Sequence, residues 1–218
     1  MTLIAEDVLL LLLDPARGTV SSWSTWGAAD LALGGAVLAE LAAAGLVAVD
    51  EESTLRRPAK VRVTGAPAPP DLDSLLTEGL RTVAGKELRA SSLVPKLGKK
   101  LGTRVAARLA EQGVLTRSSS RLLGVLPRTT WPSRDDHRRS ELQQAVTTTL
   151  ALGTTPDERT RTVVALLWAV NLAQRAVTDD TRVPRRDLKR RAAELAEGDW
   201  VAKAVADAVA AASSSAGG

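Results

Sequence analysis

Apolar residues recur along this chain in runs and stripes whose spacing is typical of helices. Ile4 to Leu13 is an almost continuous apolar run, which predicts a short buried helix ending before the Asp14-Pro15 pair, because the residue before a proline is disfavoured in the helical region. Gly27 to Ala44 is apolar nearly all round and is followed by Gly45, so it predicts a central core helix with a left-handed C-cap. Arg159 to Val177 has a similar pattern and predicts a second deeply buried helix.

Other segments show one apolar and one polar face. Asp71 is expected to cap a helix through Leu80, and Pro95 is expected to open a helix that stops at Gly113. Further helices are predicted over 140–150, 184–195 and 199–212, and residues 213–218 are predicted to be a disordered tail.

Short segments with strand-like composition lie between these helices. Leu46–Val49 and Lys60–Val63 are compatible with two short strands, and Val114–Thr116 with Leu122–Leu126 predicts a β-hairpin whose loop holds the serine run 118–120. The predicted fold class is therefore mainly α: a single compact helical domain over 1–212, with a buried central helix set, surrounding amphipathic helices and a small β-hairpin.

The composition excludes several kinds of site. The chain has 218 residues, 44% of them hydrophobic, and no cysteine, which excludes a disulfide framework, a cysteine-ligated iron–sulfur cluster and a thiolate zinc site. A reducing cytoplasm fits this composition. The apolar run Val8 to Leu13 is too short to span a bilayer and lacks the basic start of a signal peptide, so we expect a soluble or peripheral protein.

Positive charge is concentrated in one part of the sequence. Residues 86–139 contain 13 Lys or Arg and 4 acids, a net charge of +9, whereas the whole chain carries only +4. This asymmetry indicates an anionic partner.

The predicted helix after Pro95 would carry a basic ridge at four-residue spacing, formed by Lys96, Lys100, Arg104 and Arg108. Lysines in a first helical turn oppose the helix dipole unless an anion lies nearby, which favours a binding role for Lys96, Lys99 and Lys100. The alternative is an ordinary solvated face of an amphipathic helix.

Two tryptophans and one histidine are the other candidates. Trp23 lies in a polar loop and Trp26 follows three residues later; a tryptophan in such a loop is a candidate membrane-interface anchor, with burial as the alternative. His137 is the only histidine, so a pair of histidine metal ligands is excluded. We predict no catalytic residue, no metal ligand and no cofactor.

Several segments together resemble the Golgi phosphoprotein family. They follow in the family's order across nearly the whole chain: Glu6–Asp14, Gly35–Gly45, Asp71–Leu80, Arg108–Thr116 and Arg161–Val170. The Ala- and Arg-rich composition indicates a bacterial, actinobacterial member.

This resemblance implies a mainly helical, non-catalytic adaptor that binds phosphatidylinositol 4-phosphate on membranes. It also implies a hairpin that contributes to a homo-oligomer, here carried by Val114, Leu115, Leu122, Leu123, Val125 and Leu126. Trp23 matches the family's loop tryptophan, with Trp26 as the other equivalent. Of the family's basic positions, one falls on Lys99, whereas two fall on Gly34 and Gly102, so neighbouring cations would have to replace them.

The sequence thus predicts a peripheral protein on the inner face of the membrane that binds anionic phospholipid head groups, phosphatidylinositol 4-phosphate or a bacterial substitute. The predicted contacts are Trp23, Trp26, Lys96, Lys99, Lys100 and Arg104. A client protein is a further expected partner. The alternatives are nucleic-acid binding by the basic helix and hairpin, and an enzyme for small phosphorylated substrates that would depend on His137.

Overall fold

A computed structural model describes residues 2–20, 26–49, 59–85, 87–122, 126–178 and 180–216. Its α-helices within these ranges are α1 (Ile4–Leu12), α2 (Trp26–Ala43), α3 (Ser74–Val83), α4 (Ala90–Gly98), α5 (Leu101–Glu111), α6 (His137–Thr147), α7 (Glu158–Ala169), α8 (Arg185–Ala196) and α9 (Trp200–Ala216). The strands are β1 (Val47–Val49), β2 (Lys60–Val63), β3 (Leu88–Arg89), β4 (Ser118–Leu122) and β5 (Leu126–Thr130). A π-helical segment (Thr148–Leu152) follows α6, and a 3-10 helix (Ala173–Arg175) follows α7. The mainly α prediction is confirmed.

Helix α2 is the centre of the core. It packs against α1, α3, α4, α5, α7 and α9, which explains why its apolar residues continue around the whole helix instead of forming one stripe. Leu33, Leu38 and Leu41 are fully buried. Gly45, with φ 69°, follows α2 as predicted.

Two glycines bring α2 and α4 together at backbone distance. A Cβ atom on Gly34 would overlap the Val94 carbonyl, and one on Gly98 would overlap the Asp30 carbonyl. Gly98 therefore permits the close approach of the α2 backbone. The weak helix propensity of glycine is therefore offset by this close packing.

The predicted single helix from Pro95 to Gly113 is wrong. Pro95 lies inside α4, which ends at Gly98, and Lys100 interrupts the chain with a left-handed φ of 57° before α5 begins. The break is stabilised by Asp30 of α2, whose carboxylate accepts hydrogen bonds from the Lys100 amide at 3.2 Å and the Gly102 amide at 2.7 Å. Lys96, Lys100, Arg104 and Arg108 therefore do not lie along one continuous helix.

The small strands are partly as predicted. Strands β1, β2 and β3 form an antiparallel sheet in that order, and β4 pairs with β5 as a separate hairpin. The predicted hairpin strand Val114–Thr116 is wrong, because the serine run 118–120 forms the first strand itself. Leu115 is instead buried and forms an isolated bridge with Ser133.

Several helix ends differ from the sequence expectation. The cap of α3 is Asp73 and not Asp71, and its carboxylate accepts the Leu75 amide at 2.9 Å. Helix α6 begins at His137, α7 already ends at Ala169, and α9 continues to Ala216 instead of Ala212. Local sequence determines such helix boundaries only weakly.

Helix α1 is fixed to its neighbours by a buried ionic network. Glu6 and Asp7 are buried. Arg108 of α5 donates to Glu6 at 2.8 Å, Arg138 of α6 contacts Asp7 at 2.7 Å, and Arg159 of α7 donates to Asp7 at 2.6 Å. The network therefore connects α1 with three other helices.

Candidate functional site

Three lysines lie at the junction of α4 and α5, and we call them the lysine cluster: Lys96, Lys99 and Lys100. Lys96 is in the last turn of α4, and Lys99 and Lys100 form the connection to α5. All three are exposed, and none forms an ion pair with another described residue. The junction thus presents three unpaired positive charges.

The prediction that Lys96, Lys99 and Lys100 lie in the first turn of one helix, opposing its dipole, is wrong. Lys96 lies at the C-terminal end of α4, where a cation interacts favourably with the dipole, so it needs no external anion there. The N-terminal amides of α5 bind the Asp30 carboxylate, as described above. Burial raises the pKa of Asp30, while its hydrogen bonds from the Gly102 and Lys100 amides oppose that increase. The α5 terminus is therefore occupied by an acid of the chain itself.

A small pocket adjoins the lysine cluster. Its volume is about 140 Å³. It is lined by Lys96, Lys99 and Arg104 together with Glu78, Thr82 and apolar residues of α2, α3, α4 and α5. The structure thus brings three of the predicted cations around one cavity, whereas Lys100 lies outside it.

Arg104 is held across this pocket by Glu78. Its guanidinium donates to both carboxylate oxygens, at 3.1 Å and 2.5 Å, and the pKa of Glu78 is lowered chiefly by these hydrogen bonds. Arg104 is therefore already paired, and Lys96 and Lys99 are the pocket cations available to a ligand. Sequence reasoning missed Glu78, although an acid on the polar face of α3 was a visible signal.

Some of the other arginines of segment 86–139 make contacts inside the fold. Arg108 contacts Glu6 and Asp73, and its pKa is raised by those carboxylates against the effect of desolvation. Arg138 belongs to the α1 network, and Arg117 lies 5.8 Å from the Trp131 ring centre. Part of the charge concentration in the sequence therefore holds the fold together.

The family's basic position at Gly34 has no room for a side chain in this chain. As described above, Gly34 faces the α4 backbone, and Gly102 donates its amide to Asp30. The candidate cations therefore come from the α4–α5 junction alone.

Some predicted residues are not placed by the structure. Trp23, Leu123 and Val125 lie outside the described residues, and Trp26 begins α2 without a described side chain. The backbones of Leu122 and Leu126 face each other at the end of the hairpin.

His137 lies on the surface, whereas Val114 and Leu115 pack near the base of the hairpin. His137 is exposed, with Nε2 3.3 Å from the Glu141 carboxylate. Within the described ranges no group of three His, Cys, Asp or Glu side chains is arranged to hold a metal ion. The Val114 carbonyl accepts the amides of Arg134 and Asp135, so Val114 and Leu115 support the base of the hairpin instead of forming a strand.

Among the described helices, none combines the length and apolar character needed to cross a membrane. The sequence profile of the Golgi phosphoprotein 3 (GPP34) family matches residues 4–212. No curated protein matches the chain at a significant level.

Proposed function

The chain belongs to the Golgi phosphoprotein 3 family, and from this premise we propose that it is a non-catalytic peripheral membrane adaptor whose lysine cluster binds anionic phospholipid head groups. The observation that carries the proposal is the exposure of three lysines without ion-pair partners among the described residues, two of them lining one pocket. Phosphatidylinositol 4-phosphate or another anionic lipid is the proposed ligand. The proposed location is the inner face of the membrane.

The charges support reversible binding. Each lysine near an anionic surface contributes about 1 kcal/mol, and the contribution falls within a Debye length. Three such residues together therefore predict an affinity change of about 100-fold. The binding should weaken as salt is raised.

We do not propose nucleic-acid binding, because that prediction required one continuous basic helix, and this segment forms two helices, α4 and α5. Arg104 and Arg108, which would have formed that ridge on α5, pair with Glu78, Glu6 and Asp73. Groups already paired with carboxylates would have to lose those contacts to bind phosphates.

The test is co-sedimentation with phosphatidylcholine vesicles that contain or lack an anionic lipid, either phosphatidylglycerol or phosphatidylinositol 4-phosphate. We expect binding to the anionic vesicles only, and the triple variant K96Q/K99Q/K100Q should bind about 100-fold more weakly. Lys203→Gln is the control for loss of a surface lysine and should bind like wild type, because Lys203 is already paired with Asp207 at 2.9 Å. Equal binding to neutral and anionic vesicles, or full binding by the triple variant, would refute the proposal.

A further inference from the structure

A second basic surface lies on α8. Residues 182–191 contain six Lys or Arg and one acid, a net charge of +5. The residues outside 86–139 together carry a net negative charge, so the net charge of the chain does not reveal this positive segment. We use the name α8 basic face for Arg185, Arg186 and Lys189 of the helix together with Arg182, which lies just before it.

The packing of α8 leaves this face in solvent. Leu188, Ala192 and Ala196 are the buried residues of the helix. All four residues of the α8 basic face are exposed, and none has an ion-pair partner in the described part of the chain. Arg190 is different, because its guanidinium contacts Glu194 at 2.8 Å.

An exposed leucine lies beside the same helix. Leu152 is 75% exposed and is the large hydrophobic residue most open to solvent among those described. It ends the π-helical segment, whose Leu150 and Ala151 carbonyls accept hydrogen bonds from Arg191 of α8 at 2.8 and 2.7 Å. Arg191 therefore fixes the residue next to Leu152 against α8.

We propose that the α8 basic face and Leu152 form a second contact with an anionic lipid bilayer, separate from the lysine cluster. The cations would bind lipid phosphates, and Leu152 would enter the boundary between head groups and acyl chains, where an aliphatic side chain leaves water. A nucleic acid offers phosphates but no apolar layer for a leucine, so the combination favours a bilayer.

The two surfaces lie on different parts of the fold. Helix α8 packs against α7, the π-helical segment and the 3-10 helix, whereas the lysine cluster lies where α4 and α5 pack against α2 and α3. The second contact can therefore exist whether or not the lysine cluster binds lipid, and the two proposals can fail independently.

The absence of cysteine from the chain allows a direct test of Leu152 insertion. Leu152→Cys, labelled with an environment-sensitive fluorophore, should shift to shorter wavelength when vesicles of equal parts phosphatidylcholine and phosphatidylglycerol are added. The label should not respond to pure phosphatidylcholine. Ser213→Cys on the exposed end of α9 is the labelled control and should show no shift.

Vesicle co-sedimentation tests the charges. R185Q/R186Q/K189Q should weaken binding about 100-fold, since three surface cations are removed, whereas Arg190→Gln should leave it nearly unchanged because Arg190 is paired. Loss of binding in K96Q/K99Q/K100Q but not in R185Q/R186Q/K189Q would overturn this inference and leave the proposed function intact. The reverse result would support the inference and refute the lysine-cluster proposal.

Two further results would also overturn the inference. One is an unchanged fluorophore at position 152 in the presence of anionic vesicles that bind the protein. In the other, duplex DNA at low salt fully displaces the protein from vesicles, and the label at position 152 shows no shift. That result would assign the α8 basic face to nucleic-acid binding.

Discussion

Glu40 is a buried acid at the centre of the fold whose surroundings favour its protonated form. It is 8% exposed, and Oε1 accepts the Ile4 amide at 3.0 Å, while Oε2 has no hydrogen-bond partner among the described residues. Burial raises the pKa of Glu40 to about 7; the Ile4 amide and Arg159 oppose the increase, and Asp7 and Asp73 add to it. An ordinary glutamate near pH 7 would be fully charged.

This residue should make stability depend on pH. The folded protein holds the Glu40 proton up to about pH 7, whereas the unfolded chain releases it near its ordinary pKa of 4.5, so stability falls as pH rises between these values. Glu40→Gln removes this loss and should be more stable than wild type by up to about 3 kcal/mol at pH 8. Urea unfolding at intervals from acidic to alkaline pH measures the difference.

At low pH the two proteins should be nearly equal, because Glu40 is then protonated in both states. Glu194→Gln on the exposed face of α8 is the control for the substitution of a glutamate by glutamine. A constant difference between wild type and Glu40→Gln across the range would contradict the assigned titration.

For single residues, the sequence predicts burial better than it predicts which side chains pair. The apolar residues Leu33, Leu38 and Leu41 were predictable as core, because periodicity follows from burial. The pairing of Arg104 with Glu78 was not predictable, because those side chains are 26 residues apart and charge counts do not identify partners. The lysine cluster was found from sequence, but its dipole argument was wrong because the helix boundary was wrong.

At the scale of elements, the α2–α4 crossing depends on a missing side chain. Gly34→Ala would place a methyl group on the Val94 carbonyl and against the Gly98 amide. Since backbone atoms can move aside only if the whole helix shifts, we expect a loss of about 3 kcal/mol in the free energy of unfolding. Thermal or urea unfolding measures it, with Ser92→Ala on the exposed side of α4 as the control. A stability within experimental error of wild type would show that α4 does not pack as described.

The elements themselves were largely predictable, and their junctions were not. Helices α1 and α2 follow from long apolar runs, α8 follows from its amphipathic pattern, and proline or glycine signals lie near their ends. The break between α4 and α5 depends on Asp30, which is 70 residues before Lys100, so the local sequence of α4 and α5 reads as one amphipathic helix. The shift of the hairpin has a similar origin, because Leu115 is buried against the core instead of joining the strand pair.

At the scale of the molecule, family membership was visible in the order of several weakly specific segments, and the match over residues 4–212 confirms it. The charge distribution was more difficult to interpret. The Glu6–Arg108 and Asp7–Arg138 contacts span 102 and 131 residues, so two arginines of the basic segment hold helices together instead of forming an external patch. The net charge of a segment therefore shows where charged residues are concentrated in the sequence, but not whether their side chains are exposed.

The ionic network around α1 gives the last prediction. Asp7→Asn would leave Arg159 without its carboxylate partner and Arg138 with Glu6 alone. Asp7 is buried, but the side chains of Arg138 and Arg159 are 23% and 40% exposed, so water would partly solvate the charges left unpaired. The free energy of unfolding should therefore fall by about 2 kcal/mol, between the cost of breaking a surface pair and that of breaking a buried pair. Asp207→Asn breaks the exposed pair with Lys203 and should cost less than about 1 kcal/mol.

The effect of salt should differ between the Asp7→Asn and Asp207→Asn variants. Raising ionic strength screens the exposed Asp207 pair, so its small effect should disappear, whereas most of the Asp7→Asn loss should persist because the Asp7 carboxylate is buried. Urea unfolding of both variants at low and high salt provides the comparison. An Asp7→Asn variant as stable as Asp207→Asn would mean that apolar packing alone, without the network, holds α1 against α5, α6 and α7.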